Sequence, residues 1–113
     1  MMENRPETLA CVLAITKLGA IVSMINTTQR DDVLLHSLTT VTPNAAIIGE
    51  ECMNAFAEVN DQINKPTEFK QFVMADNSSK PAPSEFTDLA NASQSASTDN
   101  PLSYQKIQMK QTA

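Results

Sequence analysis

The stretch "NAAIIGEECMNAFAEVNDQINKPTEFKQFVMAD", residues 44–76, decides the fold of this chain. Its first six residues are short, apolar and partly β-branched, as a strand covered on both faces should be, and Gly49 closes them. Residues 50–63 then read as a helix with Met53, Phe56, Ala57 and Ile63 on the inward face. Glu50 and Glu51 sit at its start, where negative charge complements the helix dipole. Residues 68–76, "EFKQFVMAD", read as a further strand. Two strands joined through a helix of roughly 10 to 15 residues pair in parallel through a right-handed crossover. The expected class is therefore α/β, a partial doubly wound sheet with parallel strands and flanking helices.

The same grammar extends upstream. Pro6 suits the first turn of a helix, Glu7 complements its positive end, and Asn4 is available as the cap. Leu9, Val12, Leu13 and Thr16 follow helical spacing, while Cys11, Ile15 and Leu18 widen the apolar face, which predicts burial on more than one side. Lys17 and Gly19 supply a C-terminal stop. "AIVSMI", residues 20–25, reads as a buried strand. A second helix follows, with Thr28 as the expected cap and Asp31 at the third helical position. Val33, Leu34, Leu38 and Val41 point inward, and Pro43 ends the helix.

Downstream the composition shifts. Residues 76–100 contain six serines and neither valine nor isoleucine, with only Phe86 and Leu89 as large apolar side chains. Such a segment buries too little to order itself, apart from a short helix around "PSEFTDLANA" capped by Ser84. "PLSYQKIQMKQTA", residues 101–113, recovers a weak alternation at Tyr104, Ile107 and Met109. The expected organisation is a subdomain over 1–75, a flexible Ser/Asn-rich linker over 76–100 and a final segment over 101–113. The opening lacks a strand for its first helix to pack against, and the ending lacks a closing element. On these grounds the chain is expected to be a piece of a longer protein.

Composition excludes several classes. The 113 residues carry a formal net charge of -5, with three basic and eight acidic residues through Ile63 and five of each afterwards. A nucleic-acid surface needs clustered Lys and Arg, so no nucleic-acid partner is expected. The longest apolar run, "LACVLAI", is far shorter than the ~20 residues of a membrane span, and "MMENRPE" does not resemble a secretory signal. The chain is therefore expected to be cytoplasmic, with peripheral membrane attachment left open. Cys11 and Cys52 lie in apolar helical patterns without CxxC spacing, as buried free thiols of a reducing compartment.

Catalytic chemistry is sparse. A phosphate-cradling loop needs several glycines, and this chain has two. His36 lies in a helix beside Leu35 and Leu38 with no partner positioned by sequence, which reads as a partly buried filler rather than a base. Asp31 with Asp32 and Glu50 with Glu51 could each be an acidic metal site. Both pairs fall where helices begin, and the helix dipole explains them more simply.

In order and spacing, "MENRPE", "ITKLGAIVSMINTTQR", "LLHSL" and "AAIIGEE" resemble the adenylate-forming acyl-CoA synthetases, above all the very-long-chain acyl-CoA synthetase and fatty-acid transport protein branch. "TKLGAIVSMIN", Thr16 to Asn26, is similar to the second core motif of that superfamily, and "INTTQR" with "LLHSL" points to the branch. The resemblance covers residues 2 to about 75 and returns faintly at 101–113. It implies a fragment of the large N-terminal AMP-binding domain of an ATP-dependent ligase. Such a ligase activates a long- or very-long-chain fatty acid as an acyl-adenylate and passes it to CoA, with magnesium assisting the phosphates. In the family a strand ends just before the Asn-Arg-Pro-Glu turn, and the phosphate loop follows a variable linker. This chain would stop at the threshold of that loop.

Fatty acid, ATP, Mg and CoA are thus partners of the full-length enzyme, as is the missing remainder of its own domain. No residue here receives a catalytic, cofactor-binding or metal-binding role. Lys17, Gly19 and Asn26 match framework positions: helix C-terminal charge, a turn permitting positive φ, and a strand exit. The isolated fragment is expected to be inactive. Two alternatives stand beside this reading: a free-standing doubly wound binding or signalling module, and a ligase for another acid such as carnitine or an aromatic carboxylate.

Overall fold

The computed structural model describes residues 1–75, 82–83, 85–94 and 96. The expected strand "AIVSMI" is the largest departure from the sequence reading. Residues 20–26 carry no regular structure, and Ile21 and Met24 are 72% and 68% exposed. A strand exists only by pairing its backbone, and no described strand pairs with this segment. Its apolar character is real but its ladder is absent.

The sheet comes from residues 45–88. β1 (Ala45–Gly49) pairs in parallel with β2 (Lys70–Met74), which pairs in parallel with β3 (Thr87–Asp88), giving the order β1-β2-β3. The expected strands at 44–49 and 68–76 are present with tighter limits, and β3 is an addition from the segment read as a linker. The fold is α/β with a small parallel sheet and helices.

One further backbone interaction lies on the free edge of β1. The Met1 amino group donates to the Ile47 carbonyl at 2.8 Å, and the Gly49 N–H donates to the Met1 carbonyl at 2.8 Å. The two bonds straddle Ile48, which is the pattern of a single parallel bridge. Met1 therefore sits opposite Ile48, across β1 from β2. Its side chain packs on the same buried cluster as Ile48.

α1 (Pro6–Lys17) begins after Arg5, which is in extended conformation and makes no side-chain cap, so Asn4 is not the cap. At the other end the Gly19 N–H reaches the Thr16 carbonyl and the Ala20 N–H reaches the Ile15 carbonyl. With Gly19 at φ +79, these bonds form a Schellman stop. The expected multi-sided burial fails, because no residue of α1 is buried. Cys11, Val12 and Ile15 are half-buried, and Leu9 and Leu13 are 61% and 60% exposed.

α2 (Asp31–Val41) starts after Arg30, one residue before Asp31, which takes φ 54 at the first helical position. The expected cap, Thr28, instead donates its N–H and hydroxyl to Asn26 Oδ1, a local Asx turn ahead of the helix. Leu34 and Leu38 are buried and Val41 is half-buried, but Val33 is 60% exposed, against expectation. Thr42 ends the helix in the left-handed region at φ 44, and Pro43 prevents continuation.

The third helical stretch is shorter than the sequence suggests. A 3-10 turn at Glu50–Cys52 leads into α3 (Met53–Val59), and a second such turn at Asn60–Gln62 ends it. Phe56 and Ile63 are buried as expected, whereas Ala57 is exposed and Ala55 is buried in its place.

The core joins Leu34 and Leu38 of α2 to Ile48 of β1 and to Cys52, Phe56 and Val59 around α3. Phe86 meets Phe56 edge to face at 6.1 Å between ring centroids. α4 (Leu89–Gln94) follows β3, and Asp88 caps it by accepting the Asn91 N–H at 3.2 Å. The short helix expected near this point is thus capped by Asp88. Ser84, the rest of the expected linker and all of residues 101–113 lie outside the described residues.

Candidate functional site

Ligand crevices of open α/β sheets form outside the carboxyl ends of the parallel strands. Here that edge is crossed by the chain between Met1 and α1. Arg5 is the central residue. Its Nη1 donates to the Ala75 carbonyl at 3.2 Å and its Nη2 to the Met74 carbonyl at 3.2 Å, both at the end of β2. Nη2 also meets Glu51 Oε2 at 3.3 Å, just beyond the end of β1. Glu51 Oε1 in turn accepts the Glu3 N–H at 2.9 Å. The planar, forked guanidinium suits a site that must satisfy several oxygens at once.

Gly49 makes room for this arrangement. A Cβ at that position would run into the Glu51 carboxylate, so the small residue at the strand end lets Glu51 fold back. Arg5 and Glu51 are both largely shielded, with 15% and 17% of their side chains exposed. The positive charge is spent on a carboxylate and two carbonyls. The cluster is a clamp that ties the entry of α1 to two strand ends.

Two open depressions flank it. One, of about 510 Å³, lies between Met2–Asn4 and Met24–Thr27. The other, of about 350 Å³, lies beside Arg5, Thr8, Leu9, Val12 and Met24. Both border the unpaired segment 20–27, the second also borders α1, and neither gathers a nucleophile with a base. Among the described residues, no three His, Cys, Asp or Glu side chains converge as metal ligands.

The residues weighed from sequence scatter. His36 is exposed on α2, not half-buried, and Asp31 and Asp32 are exposed at its first turn. Glu50 is half-buried in the 3-10 turn, while Glu51 belongs to the clamp rather than serving only a helix start. Lys17 lies in the last turn of α1 and Gly19 takes positive φ, both as expected. Asn26 is not a strand exit and organises the turn ahead of α2. Cys52 is buried and Cys11 half-buried, and burial pushes both thiols up from their ordinary value, which keeps them protonated and weakly nucleophilic.

Sequence reasoning missed the Arg5–Glu51 pair. A glycine closing a parallel strand with an acid two residues later was the available signal, but its partner lies 46 residues away.

Two relatives share part of this chain. Long-chain fatty acid transport protein 6 of Mus musculus is 29% identical over 65 residues, covering 58% of this chain and 10% of that protein. Medium/long-chain-fatty-acid--CoA ligase FadD6 of Mycobacterium tuberculosis (strain ATCC 25618 / H37Rv) is 40% identical over 58 residues, covering 51% of this chain and 10% of that protein. No family model matches, and no solved structure matches. No helix among the described residues is long and apolar enough to cross a membrane. The chain spans about 10% of the length of these relatives and is similar, over half of its own length, to fatty acid transport and fatty-acid–CoA ligase sequences.

Proposed function

We propose that this chain is a segment of a fatty acid–CoA ligase of the adenylate-forming superfamily, from its very-long-chain and fatty-acid transport branch. The observation that carries the reading is the 40% identity over 58 residues to a medium/long-chain fatty-acid–CoA ligase. The similarity to a long-chain fatty acid transport protein supports it, since both names concern long acyl chains. In this reading residues 1–75 are part of a doubly wound AMP-binding domain, 76–100 form a linker that also carries β3 and α4, and 101–113 lead towards a phosphate-binding loop. In this reading the full-length protein is cytoplasmic, with peripheral attachment to a membrane left open.

The reaction uses ATP, magnesium and CoA together with a fatty acid. The described residues do not fit ATP or magnesium. Arg5, the cation at the strand ends, is taken up by Glu51 and two carbonyls, and no acidic cluster is present among the described residues. In this reading catalysis belongs to the remainder of the protein, and this segment contributes framework.

The test has two parts. The purified 113-residue chain, given a long-chain fatty acid, ATP, magnesium and CoA, is expected to form no acyl-CoA above a blank. Activity there would remove the assignment of this segment to framework. The transcript read in frame past Ala113 is expected to encode, within about a dozen residues, a Tyr- and Gly-containing loop rich in Ser and Thr and ending near a lysine, since backbone N–H groups at a strand end can receive phosphate. A continuation without such a loop would sink the ligase reading.

A further inference from the structure

We propose that the apolar face formed by α1 and residues 20–25 pairs with the same face of a second copy of this chain, the two α1 helices lying antiparallel about a two-fold axis. Such a face would self-associate whatever reaction the full-length protein performs. Leu9 and Leu13, one turn apart on α1, are 61% and 60% exposed, and Ile21 and Met24 just beyond the helix are 72% and 68% exposed. Thr8, Cys11, Val12 and Ile15, the half-buried residues of α1, form a separate stripe turned towards the rest of the molecule. The Ala20 N–H is bonded to the Ile15 carbonyl, and Met24 lines the 350 Å³ depression together with Leu9 and Val12. The chain therefore runs back along α1 from its end towards its start. Contiguous apolar surface of this kind marks a contact face.

Charge and shape select a second copy as the occupant. Lys17 is the only charged residue between Glu7 and Arg30, although the chain has 8 basic and 13 acidic residues. Two copies can meet here without bringing their excess acid together, whereas an anionic membrane finds no basic cluster to hold it. The depression lies towards the start of α1 and Ile21 lies near its end, on the side along which the chain returns. An antiparallel pair sets the Ile21 of each copy over the depression of the other, a self-complementary match. It also sets Glu7, in the first turn of one helix, beside Lys17 in the last turn of the other, once at each end. Leu9, Leu13, Ile21 and Met24 each offer roughly 100 Å² of apolar surface. They form the centre of an interface near the lower limit of about 1,200 Å² for stable complexes, so the pair comes apart on dilution.

The experiment is sedimentation equilibrium of the 113-residue chain from about 10 µM to about 1 mM, with far-UV circular dichroism to check that each variant is folded. The expected result is a reversible step from one copy to two. Leu13→Glu should weaken it about tenfold or more. Ala57→Glu, which adds the same charge at an exposed position of α3, should leave it unchanged. Lys17→Glu and Glu7→Lys should each weaken pairing alone. An equal mixture of these two variants should pair more tightly than either, because the mixed pair regains opposite charges at both ends, and neither variant's own folding changes on mixing. A chain that stays single throughout overturns the proposal, as does association that ignores Leu13→Glu or a mixture no tighter than its components. Binding of the single chain to phosphatidylcholine vesicles, lost in Leu13→Glu, would assign the face to a lipid surface and also overturn it.

Discussion

α1 and α2 are nearly equal in length, 12 and 11 residues, and α1 has the more apolar sequence, yet α2 buries Leu34 and Leu38 while α1 buries nothing. The difference lies in what surrounds them. α2 packs against α3, and its Leu34 and Leu38 join Phe56, Val59 and Ile48 in one buried cluster. α1 borders the unpaired segment 20–27, whose Ile21 and Met24 are themselves exposed. An apolar stripe records which residues gain by leaving water, and it leaves open which surface covers them. Residues 31–74, joined by Met1, Ile25 and Phe86, cover one another, whereas α1 is held by polar tethers at its entry, chiefly Arg5.

Substitutions can break that comparison. Phe56→Ala removes a ring that is 1% exposed and forfeits its contact with Phe86, and it is expected to cost about 3–5 kcal/mol in urea denaturation. Leu13→Ala on α1 is expected to change stability by no more than about 0.5 kcal/mol. Similar costs for the two would mean that α1 is packed after all. Gly49→Ala pushes the Glu51 carboxylate away from Arg5 and the Glu3 N–H. A loss of about 1–2 kcal/mol is expected, with faster exchange of the Glu3 amide. Unchanged exchange at Glu3 would show that the clamp does not hold the entry of α1.

The smallest effect concerns the Met1 amine. Its value in the folded chain lies below the ordinary 8.0 because burial disfavours the charged form. The unfolded chain therefore binds more protons between the two values, and stability rises with pH across that window. The penalty is full below the folded value and gone above 8.0. Denaturation midpoints at about pH 6 and about pH 8.5 should separate more for the free chain than for its Nα-acetylated form, which has no amine to titrate. An equal pH response in both forms would place the amino group in water.

Local signals were legible where the chain decides its structure by itself. Gly19 stops α1, Pro43 follows the end of α2, and the strands read at 44–49 and 68–76 pair in parallel over tighter limits. Non-local outcomes were not. "AIVSMI" has strand chemistry, but pairing depends on a partner that composition does not reveal. Phe86 sits in a serine-rich stretch that reads as linker, and its place in the core depends on Phe56, 30 positions away. The clamp was hidden for the same reason, because an arginine ahead of a proline looks like a solvated turn until the strand ends come beneath it.

Arg5 also has a consequence for the order in which the molecule assembles. Its bonds to Met74 and Ala75 span 69 and 70 residues of chain, so closing them costs more entropy than forming β1, α3 and β2, which are neighbours in sequence. Residues 31–74 can condense as a local nucleus, and the amino-terminal arm then locks down over a sheet that already exists. In kinetic terms Arg5→Ala should speed unfolding and leave the folding limb of the chevron almost unmoved. The arm is the last part to arrive and the first to leave.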